Sequence, residues 1–294
     1  MNRREQSRSR LPSWLRVRAP SGESYHWVDR LMRSNRLHTV CQEAHCPNSG
    51  ECWNNRTATF LILGDTCTRN CRFCNVKTGR PGSLDPGEPE RVAQAVQAME
   101  LEHAVITSVD RDDLPDGGAS AFAAVIRQIR DRQPGCTVEV LIPDFQGDGA
   151  ALKMVLDERP DVLGHNIETV PGLYRRVQPQ CRYDTSLDVL RQARRLAPEV
   201  LTKSGLMVGL GETEDEVFEA VGDLHRVGVD ILTVGQYLQP SRQHVPVERY
   251  YAPAEFERLR RRALDIGFRW VESGPLVRSS YNARAQVRAL SAER

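Results

Sequence analysis

Residues 57–79 read TATFLILGDTCTRNCRFCNVKTG, and this stretch decides the fold. Its opening run, TATFLIL, is apolar, short and ended by Gly64, as a buried strand would be. Cys67, Cys71 and Cys74 follow at once, spaced Cys-x3-Cys-x2-Cys with Phe73 just before the last. Upstream, Cys41, Cys46 and Cys52 form a second triplet, Cys-x4-Cys-x5-Cys, so six of the eight cysteines lie between positions 41 and 74. A cubane iron–sulfur cluster has four irons, and three thiolates leave one of them open to another ligand. One such triplet suggests a reactive site, and two suggest two linked tasks.

The same strand-like pattern recurs downstream. Apolar runs rich in Val, Ile and Thr occupy 57–63, 103–109, 136–142, 161–166, 200–208 and 229–235, a pattern that favours buried parallel strands. Between them lie amphipathic stretches. Val92, Val96 and Met99 form one helical stripe, and Phe122, Val125, Ile126 and Ile129 another. Thr213 with Glu216 reads as a capping box ahead of Val217, Val221 and Leu224. Pro253 suits the first turn of a later helix with Phe256, Leu259 and Ala263 inward and Gly267 as its stop.

Six βα units predict an α/β chain: a partial (β/α)6 barrel like part of a TIM barrel, with a cysteine-rich N-terminal extension and a helical C-terminal tail. The boundaries read as 1–56 for the extension, 57–240 for the barrel and 241–294 for the tail. The chemistry belongs at the C-terminal strand ends, where the second triplet falls.

Composition excludes several classes. With 294 residues the chain can bury a large core, and 40 basic against 39 acidic residues leave a net charge of +1. That balance gives no reason to expect nucleic acid or an anionic membrane as partner. The start, MNRREQSRSR, is basic but lacks the apolar region of a secretory signal, and no apolar run reaches the length of a membrane span. It reads as a solvated tail. A cytoplasmic, reducing location follows, in which clustered cysteines mark metal sites rather than disulfides. A zinc ribbon is excluded for the second triplet by the lack of a downstream Cys-x2-Cys pair at ribbon spacing.

Spacing, aromatic residue and placement of Cys67, Cys71 and Cys74 resemble the signature of the radical S-adenosylmethionine superfamily. The resemblance implies a 4Fe–4S cluster whose open iron binds S-adenosyl-L-methionine, and reductive cleavage of its sulfonium to a 5′-deoxyadenosyl radical inside the barrel. The first triplet, within CQEAHCPNSGECW (41–53), resembles the auxiliary-cluster motif of the lipoyl synthases. The likeness continues through FCNVKTGRP (73–81), TSVDRDDLPDGGA (107–119), NIETV (166–170), KSGLMVGLGE (203–212), GQYLQPS (235–241) and RSSY (278–281). It covers most of the chain beyond about residue 26.

This resemblance implies sulfur insertion at carbons 6 and 8 of an octanoyl-lysine on a carrier domain, with a second 4Fe–4S cluster as sulfur donor. Its ligands would be Cys41, Cys46, Cys52 and, from the RSSY motif, Ser279 in preference to Ser280. The implied partners are octanoylated carriers (2-oxoacid dehydrogenase E2 subunits and the glycine cleavage H protein), a low-potential donor such as ferredoxin or flavodoxin, and iron–sulfur assembly proteins. The family leans towards monomers. Gly117, Gly118, Glu168, Lys203, Gln236 and Tyr237 are candidate contacts for S-adenosylmethionine; the competing reading is an ordinary turn for the glycines, a solvated loop carboxylate for Glu168 and a snorkelling barrel lysine for Lys203.

Other residues take plainer readings. Cys136 is expected in the core, Cys181 in a polar loop without a partner, His45 beside the first triplet but not a ligand, and Arg258, Arg260, Arg261 and Arg262 on a solvated helix face. Two other classes compete: a radical methylthiotransferase acting on transfer RNA, and a zinc-stabilised binding module. The first spreads its auxiliary cysteines over a separate domain and adds an RNA-binding β-domain, whereas here three cysteines span twelve residues. Anaerobic iron and sulfide analysis should find eight irons per chain in a brown protein; colourless protein carrying zinc would refute the cluster reading.

Overall fold

Each of the six apolar runs forms a parallel strand in the computed structural model, which describes residues 11–17 and 19–291; MNRREQSRSR lies outside the described residues. The strands are Thr59–Ile62 (β1), His103–Ser108 (β2), Thr137–Leu141 (β3), Val162–Gly164 (β4), Leu201–Val208 (β5) and Ile231–Gln236 (β6). The tail, expected to be helical, contributes a seventh strand, Trp270–Gly274 (β7), parallel to β6 with Trp270 opposite Ile231. Only Val271 of β7 is buried, so the segment carries no apolar run by which sequence alone would reveal it.

The strands lie side by side in chain order, and the sheet is open. A two-residue antiparallel strand, His38–Thr39, extends it beyond β1, while β7 forms the opposite edge. The result is a partial TIM-like α/β barrel whose outer face is covered by helices Glu88–Ala98 (α1), Ala119–Arg132 (α2), Gly149–Leu156 (α3), Tyr183–Leu196 (α4), Glu214–Arg226 (α5) and Pro253–Ile266 (α6). Their stripes point inward as the spacing predicts: Val92, Val96, Phe122, Ile126 and Ile129 are buried, and so are Val217, Val221 and Leu224. The capping box closes on both sides, Glu216 N donating to Thr213 Oγ1 at 3.2 Å and Thr213 N to Glu216 Oε2 at 2.7 Å.

The first triplet rides on two short helices, Val40–Glu43 and Ser49–Asn54, joined through His45, whose φ of 48° makes the sharp turn. Thr39 caps the first of them, taking a bond from Gln42 N at 3.3 Å. Trp53 pins the second, fully buried and stacked on Tyr25 with ring centroids 5.0 Å apart. The last helix, Ala283–Ser291, plugs the far end of the barrel: Val287 and Leu290 pack on Val162, Leu201 and Ile231, the first residues of β4, β5 and β6.

Above that plug sits a buried charged group. Lys203 Nζ donates to Glu139 Oε1 at 2.8 Å with both side chains 2% exposed, and His103 Nε2 lies 3.4 Å from Glu139 Oε2. Removing one member leaves an uncompensated buried charge. Lys203→Met should therefore destabilise the apoprotein by about 3–5 kcal/mol in urea unfolding, and Lys203→Met/Glu139→Leu should recover much of the loss. An unchanged midpoint in the single variant would contradict this role.

Candidate functional site

The C-terminal strand ends open into one cavity of about 540 Å³, and both cysteine triplets reach it. Cys67, Cys71 and Cys74 line it from the loop after β1, Cys41 from the first N-terminal helix, Cys46 from the turn that follows it, and Ser279 and Ser280 from the segment after β7. Cys52 stands half-buried just behind Cys41 and Cys46.

The loop carrying the second triplet is anchored by Arg69. Its guanidinium donates to Asp112 at 2.8 Å and to Asp144 at 2.6 Å, with Asp110 at 3.5 Å, although only 4% of the side chain is exposed. Arg72 N donates to Val177 O at 2.8 Å, Val245 N to Arg72 O at 3.0 Å, and His244 Nε2 pairs with Cys74 O at 2.9 Å. The loop is thus held from below by charge and from the side by two other loops. That is the rigid support a reactive cluster needs.

The thiols suit metal rather than free ionisation. Burial pushes Cys67 up to about 12 and Cys74 to about 11. Cys71 is raised first by its hydrogen bond with Cys181 and then by burial. In the first triplet burial raises Cys41, and burial with the neighbouring Cys41 and Cys46 pushes Cys52 up to about 12. Thiolate at these positions needs a positive partner, as bound iron provides. The backbone is ready for one: Arg69 N and Asp110 N point at Cys67 Sγ at 3.4 and 3.3 Å. No three His, Cys, Asp or Glu side chains among the described residues close on a single ion. A cubane, which spreads its ligands over separate irons, fits this spacing better than a tetrahedral zinc.

The two serines of RSSY are not equivalent. Thr59 Oγ1 donates to Ser280 Oγ at 2.8 Å, whereas Ser279 has no hydrogen-bond partner among the described residues and faces the cavity. Asn48 Nδ2 to Leu276 O at 2.7 Å and Tyr281 Oη to Glu51 Oε1 at 3.4 Å tie the same segment to the first triplet.

The other candidates separate. Glu168 and Tyr237 line the cavity. Glu168 takes a bond from Asn166 Nδ2 at 3.0 Å, and burial raises its carboxyl to about 7. Tyr237 gives its hydroxyl to Val245 O at 2.7 Å. Lys203, Gln236, Gly117 and Gly118 do not line it. Lys203 is engaged by Glu139, and the Gln236 amide is held by the carbonyls of Val208 and Arg249 and by Tyr251 N. Gly118, at φ 92°, is needed for packing, since a Cβ there would lie 2.3 Å from Leu63 Cδ1.

Sequence reasoning missed the Arg69 anchor, although the acidic run Asp110-Arg111-Asp112-Asp113 signals it. It also left Cys181 without a partner; that thiol lines the cavity, bonds Cys71 and takes a contact from Arg69 Nη1 at 3.5 Å. Cys136 is buried as expected, and Arg258, Arg260 and Arg261 pair with Glu214 and Glu257 on the helix face.

Comparison with known proteins names the class first. Residues 61–224 match the family model described as the radical SAM superfamily. SuiB of Streptococcus suis bound to S-adenosylmethionine superposes with a TM-score of 0.58 at 11% identity over 80% of this chain and 58% of that one. A methylornithine synthase superposes at 0.52 with 14% identity over 85% and 79%. Fold and cavity define a radical S-adenosylmethionine protein, which works with S-adenosylmethionine and 4Fe–4S clusters.

Residues 1–46 match the N-terminal domain of lipoyl synthase. The lipoyl synthase of Rubrobacter xylanophilus is 61% identical over 285 residues, 97% of this chain and 89% of that protein. Those of Roseiflexus sp. and Oceanobacillus iheyensis are 58% and 55% identical over 96% and 99% of this chain and 94% and 93% of theirs. The chain belongs to the lipoyl synthase family.

Arg69→Met would leave buried Asp144 without its guanidinium and free the loop of the second triplet. Iron in the reconstituted protein should fall from about eight towards about four per chain. Arg69→Lys, unable to bridge three carboxylates, should recover only part, and full iron in Arg69→Met would rule out the anchoring role.

Proposed function

We propose a division of labour between the triplets of this sulfur-inserting radical enzyme of lipoyl formation. Cys67, Cys71 and Cys74 hold the cluster that binds S-adenosylmethionine; Cys41, Cys46, Cys52 and Ser279 hold the cluster that gives up sulfur. The observation that carries this reading is that five of the six triplet cysteines and Ser279 line one cavity, with Cys52 beside it. When bound, these groups supply hydrogen-atom abstraction and the sulfur atoms, at carbons 6 and 8 of a protein-bound octanoyl-lysine.

The chain's own residues do the rest. Leu61, Val109, Leu141 and Met207 give the cavity an apolar wall that suits an alkyl chain and excludes water. Glu168, uncharged below about pH 7 because of burial, offers a hydrogen-bond donor there and an acceptor above it. That ability fits a ribose hydroxyl, and Tyr237 borders the same space. Ser279 would be a harder and more weakly held ligand than thiolate, which suits a cluster that serves as sulfur donor.

Lipoyl carrier proteins and a reductant are the partners such chemistry requires. We assign the carriers to 2-oxoacid dehydrogenase E2 subunits and the glycine cleavage H protein, the donor to ferredoxin or flavodoxin, and cluster supply to iron–sulfur assembly proteins. The chain would act as a cytoplasmic monomer without nucleic acid or membrane. Among the described residues no helix is long and apolar enough to cross a membrane. The transfer RNA reading finds no support among relatives matched over nearly the whole chain.

Mass spectrometry of an octanoylated carrier domain, after incubation with the reduced protein and S-adenosylmethionine, should show a gain of two sulfur atoms. No gain of sulfur would sink the reading. Ser279→Ala should abolish the gain while Ser280→Ala keeps part of it; full activity in Ser279→Ala would move the fourth ligand elsewhere.

A further inference from the structure

Four cation-capable side chains line the cavity: His45, Arg69, His165 and Arg278. Arg69 is neutralised by its carboxylates. Burial pulls His165 below the usual imidazole range, and its Nδ1 pairs with Ile142 O at 3.0 Å. His45 Nδ1 pairs with Asn75 at 2.8 Å. Arg278 differs from the other three: it bonds its neighbouring carbonyl, Val277 O, at 2.7 Å, and no carboxylate of the described residues lies within ion-pair distance.

The position of Arg278 is built in. A Cβ on Gly235 would lie 2.1 Å from Val277 O and 3.3 Å from Arg278 Nη1, so glycine at the end of β6 lets this segment press against the sheet. Asn48 and Thr59 fix it on either side through Leu276 and Ser280. The guanidinium lines the same cavity as Cys46, from the first triplet, and Glu168. A half-buried guanidinium with no carboxylate within ion-pair distance is a ready partner for an anion brought to the cavity. Three thiolates and a serine oxygen on one cubane bring a net negative charge to that spot.

We infer that Arg278 is the counter-charge and hydrogen-bond donor to the cluster held by Cys41, Cys46, Cys52 and Ser279: a positioning residue that sets its reduction potential and retention. This rests on the assignment of that cluster under the proposed function. A cation donating to cluster sulfur favours the reduced form and so raises the potential. The competing role is a carboxylate contact for S-adenosylmethionine.

The test uses the full chain reconstituted anaerobically, as wild type, Arg278→Gln and Arg278→Lys. It measures iron content, chelator-driven iron loss, potential by EPR titration and binding of radiolabelled S-adenosylmethionine. Arg278→Gln should make reduction of the auxiliary cluster at least tenfold less favourable, about 59 mV for one electron, and speed its loss to chelator. Binding of S-adenosylmethionine should stay within twofold. Arg278→Lys, which keeps the charge, should restore most of the potential and serves if the glutamine variant folds poorly.

An unchanged auxiliary potential and chelator loss in both variants would overturn the inference. So would a tenfold weakening of S-adenosylmethionine binding with the auxiliary cluster unaltered. Wild-type protein holding only four irons would instead bring down the cluster assignment itself.

Discussion

Asn48 to Leu276 and Thr59 to Ser280 are the hydrogen bonds on which the site depends, because they join segments more than two hundred residues apart beside the first strand. The parallel sheet does not close: β1 and β7 stand towards opposite edges with no pairing between them. The N-terminal cysteine segment and the RSSY segment meet at that open side. An open barrel with a joined flank gives what a sulfur-inserting reaction needs, since one cavity can then be reached by two separate triplets and by a serine. Without that junction Ser279 has no reason to line the cavity that Cys46 lines.

Electrostatics around the cavity follow from the same arrangement. Five thiols of the two triplets, Cys181 and the carboxylates of Asp110, Asp144 and Glu168 make it a place of latent negative charge. Arg69 balances the acids beneath the second triplet, leaving that loop fixed but no charge to spare for the thiols above it. Burial favours the protonated thiol at Cys41, Cys52, Cys67 and Cys74, so metal must displace those protons. Arg278 lines the same cavity as Cys46 and Ser279, without a carboxylate partner of its own.

Much of this was legible in the chain, for physical reasons that differ by element. The first six strands announce themselves as apolar runs because parallel strands are buried on both faces. The seventh does not, since Trp270–Gly274 lies at an edge with most of its side chains partly exposed. The cysteine triplets stand out by spacing, because each lies within a dozen residues of chain. Lys203 and Gln236 could not be placed that way: period-2 alternation says that a residue faces inward, but not whether a buried partner such as Glu139 already holds it. Cys181 belongs to the same class, its partner Arg69 lying 112 residues away in sequence.

The central claim, that two four-iron clusters occupy one cavity and that the second is closed by a residue of the distant C-terminal segment, is tested most directly by crystallography. Anomalous diffraction at the iron edge from crystals of the reconstituted protein should show two separate four-iron sites. One should lie against Cys67, Cys71 and Cys74, and the other against Cys41, Cys46 and Cys52 with density continuous to Ser279 Oγ. A single cluster, or a second one whose fourth iron is bound by His45 or Ser280 instead, would contradict the account.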